Sequence, residues 1–87
     1  MSDDLWWVYV LQCRGDRLYT GIARDPHARY QQHVSGKGAR FTRAFPPVQL
    51  LASRAFATQS EALREEARIK RLSRPAKLAL VSGWQAE

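Results

Sequence analysis

The hydrophobic pattern at the start of the chain predicts two β-strands joined by a tight turn. Residues Leu5 to Leu11 are apolar or aromatic at every position, without polar alternation, which is typical of a central strand covered on both faces. Leu18 to Ile22 has the composition of a second strand. The Arg14-Gly15-Asp16 segment between them is a turn sequence, so we expect the two strands to form a hairpin.

A helix is expected after the hairpin, because Asp25 directly precedes Pro26. An aspartate caps the first turn of a helix with its side-chain oxygen, and proline is well tolerated at the first helical position. The helix should run to about Ser35, where Gly36 stops it. The segment from Gly36 to Arg43 has neither helical nor strand periodicity but contains two glycines, three cations and one aromatic residue. We interpret it as a loop that faces phosphate.

The second half of the chain contains the signals of one more strand and two more helices. They are a strand over Val48 to Phe56, a helix from the capping box Thr58-Gln59-Ser60-Glu61 to about Leu72, and a short helix from Pro75 through Val81 that Gly83 ends. The predicted order is β-β-α-β-α-α, which is a small α+β domain with a three-stranded antiparallel sheet flanked by helices. We find no repeat, low-complexity tract or obvious linker, so residues 1–87 are treated as one domain.

Composition and charge indicate a basic globular domain. With 87 residues, 45% of them hydrophobic, the chain can form a single core and has too much apolar surface for a disordered basic tail. The 14 Lys and Arg outnumber the 8 Asp and Glu, which gives a net charge of +6. Within residues 24–54 the cations Arg24, Arg29, Lys37, Arg40, Arg43 and Arg54 accompany a single acid, Asp25. Because the arginine guanidinium suits phosphate recognition, nucleic acid is the predicted partner class.

The single cysteine, Cys13, allows neither an internal disulfide nor a thiolate zinc site within one chain, a usage that suits a reducing cytoplasm. The apolar run from Leu5 to Leu11 is too short to cross a membrane, and acidic rather than basic residues precede it. We therefore expect no secretory segment and no membrane partner.

Two residues of the first predicted helix could bind a ligand together. Arg29 and His33 stand four residues apart and therefore share one helix face. The apolar stripe of this helix includes Tyr30 and Val34, so we expect Arg29 and His33 on an accessible flank. They are either ordinary surface residues or two residues that bind a common ligand.

A carboxylate stands out on the helix that begins near Thr58. Glu66 falls within its apolar stripe, close to Ile69. A carboxylate that faces a core is unfavourable unless a cation or a metal meets it. An ion pair with Lys70, four residues further on, and a metal site are equally supported. Glu65 lies nearer the edge of the stripe and is the weaker candidate ligand.

Tyr9 and Tyr19 lie on the two strands of the predicted hairpin. An odd number of loop residues puts both hydroxyls on one face of the sheet, and an even number separates them. The sequence leaves this register open, and packed core aromatics are the ordinary alternative.

In combination, these features resemble the GIY-YIG endonuclease domain in order and spacing, over nearly the whole chain. The resemblance rests on Val8-Tyr9-Val10, Tyr19-Thr20-Gly21, Arg29-x-x-x-His33 and Glu66. It is closest to the small stand-alone bacterial members, through the stretches Gly21 to Asp25, Ser35 to Arg43 and Glu66 to Lys70. The chain departs from many repair-type members at Ile22, where they carry a lysine.

The resemblance implies a metal-dependent DNA endonuclease that uses one divalent ion, Mg²⁺ or Mn²⁺. Glu66 would hold the ion, and Arg29 would stabilise the charge that develops on the phosphorane. One of Tyr9 and Tyr19, its phenol pKa lowered from about 10 by nearby cations, would take a proton from the attacking water while the other positions it. We prefer Tyr19 as this base. His33 would act as a proton relay or a phosphate contact.

The same resemblance implies a nucleic-acid-binding surface, for DNA rather than RNA. Its candidate residues are Arg24, Lys37, Arg40, Phe41, Arg43 and Lys70. Without a DNA-targeting segment beside the domain, we expect structure-selective or weakly sequence-specific cleavage, as in DNA repair or recombination, or reliance on a protein partner for targeting. A non-catalytic nucleic-acid-binding module on the same fold is the alternative. An adaptor that docks a protein through exposed aromatics such as Trp84 is a third hypothesis.

Overall fold

The computed structural model describes residues 4–86, which form three strands and four helices. In chain order these are β1 (Trp6–Cys13), β2 (Arg17–Ala23), α1 (Pro26–Val34), α2 (Arg40–Ala44), β3 (Pro47–Phe56), α3 (Gln59–Lys70) and α4 (Arg74–Gln85). The strands make one antiparallel sheet in the order β2-β1-β3. The predicted α+β architecture is confirmed, with one additional short helix, α2.

The central strand β1 is buried on both faces, as its apolar sequence predicts. Val8, Val10 and Leu11 are completely buried. Helices α3 and α4 supply the core on the Val8 and Val10 face, through Ala62, Ile69, Val81 and Trp84. The opposite face of the sheet has a different character. There Tyr9, Leu11 and Cys13 pack with the partly buried aromatic rings of Tyr19, Tyr30 and Phe45.

The hairpin register puts the two tyrosines of interest on the same face. The loop between β1 and β2 has three residues, Arg14 to Asp16. Tyr9 pairs with Gly21, and Tyr19 pairs with Leu11, two positions along β1 from Tyr9. Side chains two positions apart on a strand share a face. The odd loop length therefore brings Tyr9 and Tyr19 together.

The predicted helix starts are present because they depend on residues that are close in sequence. Asp25 caps α1 by accepting a hydrogen bond from the Ala28 amide at 3.1 Å. Thr58 and Glu61 form the reciprocal capping box of α3: the Thr58 hydroxyl accepts from the Glu61 amide, and the Glu61 carboxylate accepts from the Thr58 amide, both at 3.1 Å. Gly36 follows α1 with a φ of +82°, a conformation that favours glycine.

The predicted facing of α1 was wrong. His33 is 1% exposed, whereas Val34 is 48% exposed. The helix turns the histidine toward the tyrosine face of the sheet and leaves the valine in solvent. Burying a polar ring is tolerated here because both of its nitrogens have hydrogen-bond partners.

Two further predictions need correction. The interpretation of Gly36 to Arg43 as a loop fails in its second half, where α2 forms and Thr42 is buried. The last helix does not end at Gly83 but continues to Gln85, because Trp84 extends from it into the core. Burial of a large aromatic side chain outweighs the helix penalty of one glycine, about 1 kcal/mol. Trp84 is therefore not an exposed docking aromatic.

Candidate active site

Three aromatic rings from three elements meet on the Tyr9 face of the sheet. They belong to Tyr9 of β1, Tyr19 of β2 and His33 of α1. The ring centroids of the two tyrosines are 6.3 Å apart, and the His33 centroid lies 5.9 Å from that of Tyr9 and 5.1 Å from that of Tyr19. Tyr9 is 1% exposed, and Tyr19 is half-buried. The structure thus brings together three of the five residues that the sequence pattern proposed for chemistry.

A chain of hydrogen bonds fixes the tautomer of His33. The Thr42 hydroxyl donates its proton to the Ala39 carbonyl at 2.9 Å, so its oxygen must accept from Nδ1–H of His33 at 2.7 Å. In the neutral ring Nε2 then carries the lone pair and accepts from the Tyr9 hydroxyl at 2.8 Å. The proton order runs from Tyr9 through His33 and Thr42 to the backbone, and every member of the chain has a partner.

Two glycines allow this arrangement to form. A Cβ at Gly21 would lie 2.5 Å from the Tyr9 hydroxyl, and a Cβ at Gly38 would overlap the His33 ring. Backbone therefore closes over the phenol from β2 and over the imidazole from the segment before α2. Gly38, which the sequence pattern suggested for a phosphate-facing loop, packs against the histidine instead.

The charges around Tyr9 act on its pKa in opposite directions. Burial is the dominant effect and raises the pKa of Tyr9 to about 12, with Tyr19 and Glu66 acting in the same sense. Arg29, which hydrogen bonds to the phenol and is positively charged, lowers the pKa without overcoming the burial. The expected lowering of a tyrosine pKa by cations is therefore wrong for Tyr9. Burial, followed by the charge of Arg29, lowers the pKa of His33 below 6.5, which keeps the ring neutral at pH 7.

Arg29 and Glu66 reach the site from α1 and α3. The Arg29 guanidinium donates to the Gln32 side-chain oxygen at 2.7 Å and also hydrogen bonds to the Tyr9 phenol. Glu66 pairs with Lys70 at 3.3 Å, and its side chain is 20% exposed. The ion pair is therefore present, and Glu66 still acts electrostatically on Tyr9. Its neighbour Glu65 receives two hydrogen bonds from Arg68, which lower its pKa.

The donor set at Glu66 fits a metal that arrives together with a phosphate. Residues 4–86 contain no cluster of three or more His, Cys, Asp or Glu side chains that could hold a metal by protein ligands alone. Mg²⁺ commonly binds through one or two carboxylates, with water and substrate phosphate oxygens in the remaining positions. A single accessible carboxylate is compatible with that arrangement. Lys70 would have to release Glu66 for it to form.

The proposed nucleic-acid-binding residues fall into three groups. Phe41 stacks on Tyr19 with centroids 5.7 Å apart, so it belongs to the tyrosine cluster. Lys37, Arg40 and Arg43 are exposed in and before α2, on the same side of the sheet. Arg24 and Lys70 lie apart from them: Arg24 pairs with Asp4 at 3.2 Å and lies over the Trp6 ring, while Lys70 pairs with Glu66.

Thr42 is the site residue that sequence reasoning missed. It holds the second nitrogen of His33 and is 9 residues away along the chain. No periodicity or cap signal marks it, since its role depends on α2 folding back against α1. The short run from Gly38 to Thr42 thus supplies both a close backbone contact and a hydrogen-bond acceptor to one imidazole.

Comparison with protein families identifies the domain. The family model described as the GIY-YIG catalytic domain matches residues 5–79. The chain belongs to the GIY-YIG family. This is a nuclease family.

Bacterial proteins named UPF0213 are similar to this GIY-YIG domain. A UPF0213 protein of Cupriavidus necator is 47% identical over 90% of this chain and 85% of its own length. A UPF0213 protein of Streptococcus agalactiae is 47% identical over 93% of this chain and 92% of its own. The solution NMR structure of a UPF0213 protein from Bacillus halodurans is 44% identical, covers 90% of this chain and 83% of that one, and has a TM-score of 0.58.

Between Asp4 and Ala86, the GIY-YIG domain has no helix with the length and apolar character that crossing a membrane requires.

Proposed function

We propose that this chain is a divalent-metal-dependent DNA endonuclease whose reaction centre is the Tyr9 hydroxyl. The observation that carries the proposal is that a base, His33, and a cation, Arg29, meet at that hydroxyl, while the carboxylate of Glu66 acts on it electrostatically. His33 accepts its hydrogen bond at 2.8 Å, and Arg29 and Glu66 both lie near enough to shift its pKa. Phosphodiester hydrolysis needs a proton acceptor, a positive charge near the phosphate and a ligand for a Lewis acid.

The hydrogen-bond direction favours Tyr9 over Tyr19 as the phenol that handles the proton. A free phenolate at Tyr9 is costly at neutral pH, because burial raises the pKa of Tyr9 to about 12. The relay avoids that state: as Tyr9 takes a proton from the attacking water, its own proton passes to Nε2 of His33. His33 becomes the imidazolium, and Thr42 continues to accept from Nδ1–H. Tyr19 is the more exposed of the two tyrosines and would position the water.

Arg29 and Glu66 would act on the phosphate. Arg29 is partly exposed and would bind a non-bridging oxygen, where it opposes the negative charge that grows in the transition state. Glu66 would hold the Mg²⁺ or Mn²⁺ ion, which when bound supplies Lewis-acid stabilisation of the same charge. Lys70, freed from Glu66, would then be available to a neighbouring phosphate.

The exposed cations beside the tyrosines support a DNA substrate. Lys37, Arg40 and Arg43 project from one segment that adjoins Phe41. Contacts of these cations would be to the phosphates of the DNA backbone, which carry little sequence information. We therefore infer a structure-selective or weakly sequence-specific enzyme, as in DNA repair or recombination. We further propose a cytoplasmic location, in keeping with the single thiol of Cys13, and targeting by a protein partner.

The test is cleavage of end-labelled single-stranded, duplex, flap and branched DNA in Mg²⁺ and in Mn²⁺, with a chelator control. Glu66→Gln should abolish metal-dependent cleavage, whereas Glu65→Gln on the same helix should leave it intact. Tyr9→Phe should lower the single-turnover rate about 10²- to 10⁴-fold, the usual contribution of a positioned acid–base group. Tyr30→Phe, which removes a hydroxyl that only donates to the Val48 carbonyl, is its matched control.

Three outcomes separate the possibilities. Cleavage that survives Glu66→Gln at full rate would point to a contaminating nuclease. Loss of activity in Tyr19→Phe but not in Tyr9→Phe would return the base role to Tyr19. DNA binding by wild type and Glu66→Gln alike, without cleavage on any substrate, would favour the non-catalytic binding module, for which the ion pair between Glu66 and Lys70 is the supporting observation.

A further inference from the structure

A basic groove lies beyond the tyrosine cluster, at the end of the sheet where β1 turns into β2. Its volume is about 370 Å³, and it is bounded by the hairpin turn, α2 and the first turn of α4. Arg17, Phe41, Arg74 and Lys77 line it, together with Asp16. Arg17 is far along the chain from Arg74 and Lys77, and none of the three belongs to the binding surface that the sequence suggested.

The charges in the groove suit a polyanion. Asp16 is its one acidic lining residue, and Arg74 neutralises it at 2.9 Å. Arg17 holds its guanidinium 4.0 Å from the centroid of the Phe45 ring, which fixes its position without cancelling its charge. Within residues 4–86 no carboxylate pairs with Lys77. Two positive charges therefore remain in a groove whose volume is at the low end of ordinary ligand sites, roughly 300–1,000 Å³.

Phe41 connects the groove to the candidate active site. It lines the groove and is 36% exposed, yet it also stacks on Tyr19 at 5.7 Å. Tyr19 in turn lies 6.3 Å from Tyr9. A nucleic-acid strand lying in the groove would therefore lead directly to Tyr19, one ring contact from Phe41, and then to Tyr9, two ring contacts from Phe41.

We propose that this groove binds an unpaired DNA strand next to the phosphate that is cut, with Arg17 and Lys77 on backbone phosphates and Phe41 against a base. The proposal rests on the proposed nuclease function and deepens it by naming the substrate feature that the enzyme selects. An aromatic side chain can stack on an unpaired base, whereas the bases of a duplex are already paired and stacked on each other. The substrate class is accordingly a duplex that carries a single-stranded extension.

The first experiment measures binding of wild-type protein to a blunt duplex and to the same duplex with a single-stranded extension, in chelator, by fluorescence anisotropy across a salt series. The double variant Arg17→Ala/Lys77→Ala removes the two groove cations that the proposal puts on phosphates. The matched control Arg64→Ala/Arg71→Ala removes two from α3 and its end, neither of which lines the groove. Because the Arg17 change also removes its contact with the Phe45 ring, Lys77→Ala alone is measured as well.

The expected loss is confined to the extended substrate. Each phosphate contact on a single strand contributes about 0.7 to the slope of log K against log salt, so loss of two contacts lowers the slope by about 1.4, or roughly 25-fold in affinity at 0.1 M salt. Lys77→Ala should lower the slope by about 0.7. Binding of the blunt duplex should change no more than in the control. A 2-aminopurine in the extension should be quenched by wild type and not by Phe41→Leu.

The proposal is overturned if the groove variants lose affinity equally for both substrates, if they lose no more than the control variant, or if wild type does not prefer the extended substrate. These results are distinguishable from failure of the proposed function. A protein that prefers the extension through the groove but cleaves nothing in Mg²⁺ or Mn²⁺ keeps the binding site and loses the nuclease. Cleavage without any such preference keeps the nuclease and loses the groove.

Discussion

The hydroxyl of Thr42 is predicted to control both the stability of the fold and the tautomer of His33. In Thr42→Val the shape of the side chain is retained, but the acceptor of Nδ1–H is lost. The Ala39 carbonyl does not become unsatisfied, because the Arg43 amide also donates to it at 3.2 Å. The substitution therefore removes the hydrogen-bond partner of one buried nitrogen, Nδ1 of His33, and of no other group. Thr42→Ser is the matched control, since it keeps the hydroxyl and removes only a methyl group.

The magnitudes of the two changes should differ clearly. A buried donor left without a partner costs about 1–3 kcal/mol. Alternatively, the imidazole proton of His33 moves to Nε2. The lone pair on Nδ1 then faces the valine, and Tyr9 can no longer donate to the ring. The loss in unfolding free energy therefore stays in the same range. Thr42→Ser should cost about 0.8 kcal/mol for one buried methyl group. For a domain of this size, 1 kcal/mol corresponds to roughly 4–8 °C in Tm.

The assay is equilibrium urea unfolding of wild type and both variants, followed by tryptophan fluorescence. Nitrogen-15 NMR of the imidazole then reports which ring nitrogen carries the proton. We expect Nδ1–H in wild type and in Thr42→Ser. If Thr42→Val is no less stable than Thr42→Ser and retains the Nδ1–H tautomer, the assigned direction of the hydrogen-bond chain is incorrect, and the proton path from Tyr9 to His33 loses its support.

Three other predictions follow from the same structure. Gly38→Ala should destabilise the fold by about 1–3 kcal/mol, because the added Cβ would overlap the His33 ring. Gly83→Ala, whose Cβ would meet only open space in α4, should stabilise the fold by up to about 1 kcal/mol. Equal effects of the two variants in urea unfolding would contradict this. Trp84→Ala should cost about 3–5 kcal/mol, and a well-folded variant of wild-type Tm would show that Trp84 is not a core residue. Since the pKa of His33 is lowered in the folded state, the unfolded chain binds more protons than the folded chain below about pH 6.5, so the free energy of unfolding of wild type should fall as the pH decreases from there. His33→Gln should flatten this dependence of the unfolding free energy on pH. An unchanged dependence in the variant would argue against a buried neutral ring.

The helix starts were predictable because each depends on residues within one turn. Asp25 and the amide of Ala28 are three residues apart, as are Thr58 and Glu61. In both cases the side chain that accepts the hydrogen bond is adjacent to the backbone it caps, and no other part of the chain is needed. The strands were predictable for a similar reason, since continuous apolar character requires cover on both faces wherever the strand lies.

The errors arose where distant residues decide between local alternatives. Val34 and His33 are neighbours on α1, and hydrophobicity alone places the valine inside. The outcome is reversed because Tyr9, 24 residues before His33, and Thr42 after it supply hydrogen bonds to both ring nitrogens. The short helix α2 has no side-chain cap, so its formation depends on contacts such as the buried Thr42 rather than on a local signal.

The sequence by itself determined the α+β architecture and the helix caps at Asp25 and Thr58, because periodicity and capping act over a few residues. The candidate site residues came from its resemblance to the GIY-YIG domain. The tertiary structure alone decided which of those residues act on one another. It put Tyr9 and Tyr19 on the same face through a three-residue loop, set the proton direction through Thr42, and raised the pKa of Tyr9 by burial rather than lowering it by nearby cations. Each of these properties depends on groups that are far apart in sequence, on the dielectric around them and on hydrogen bonds that form only after the elements pack.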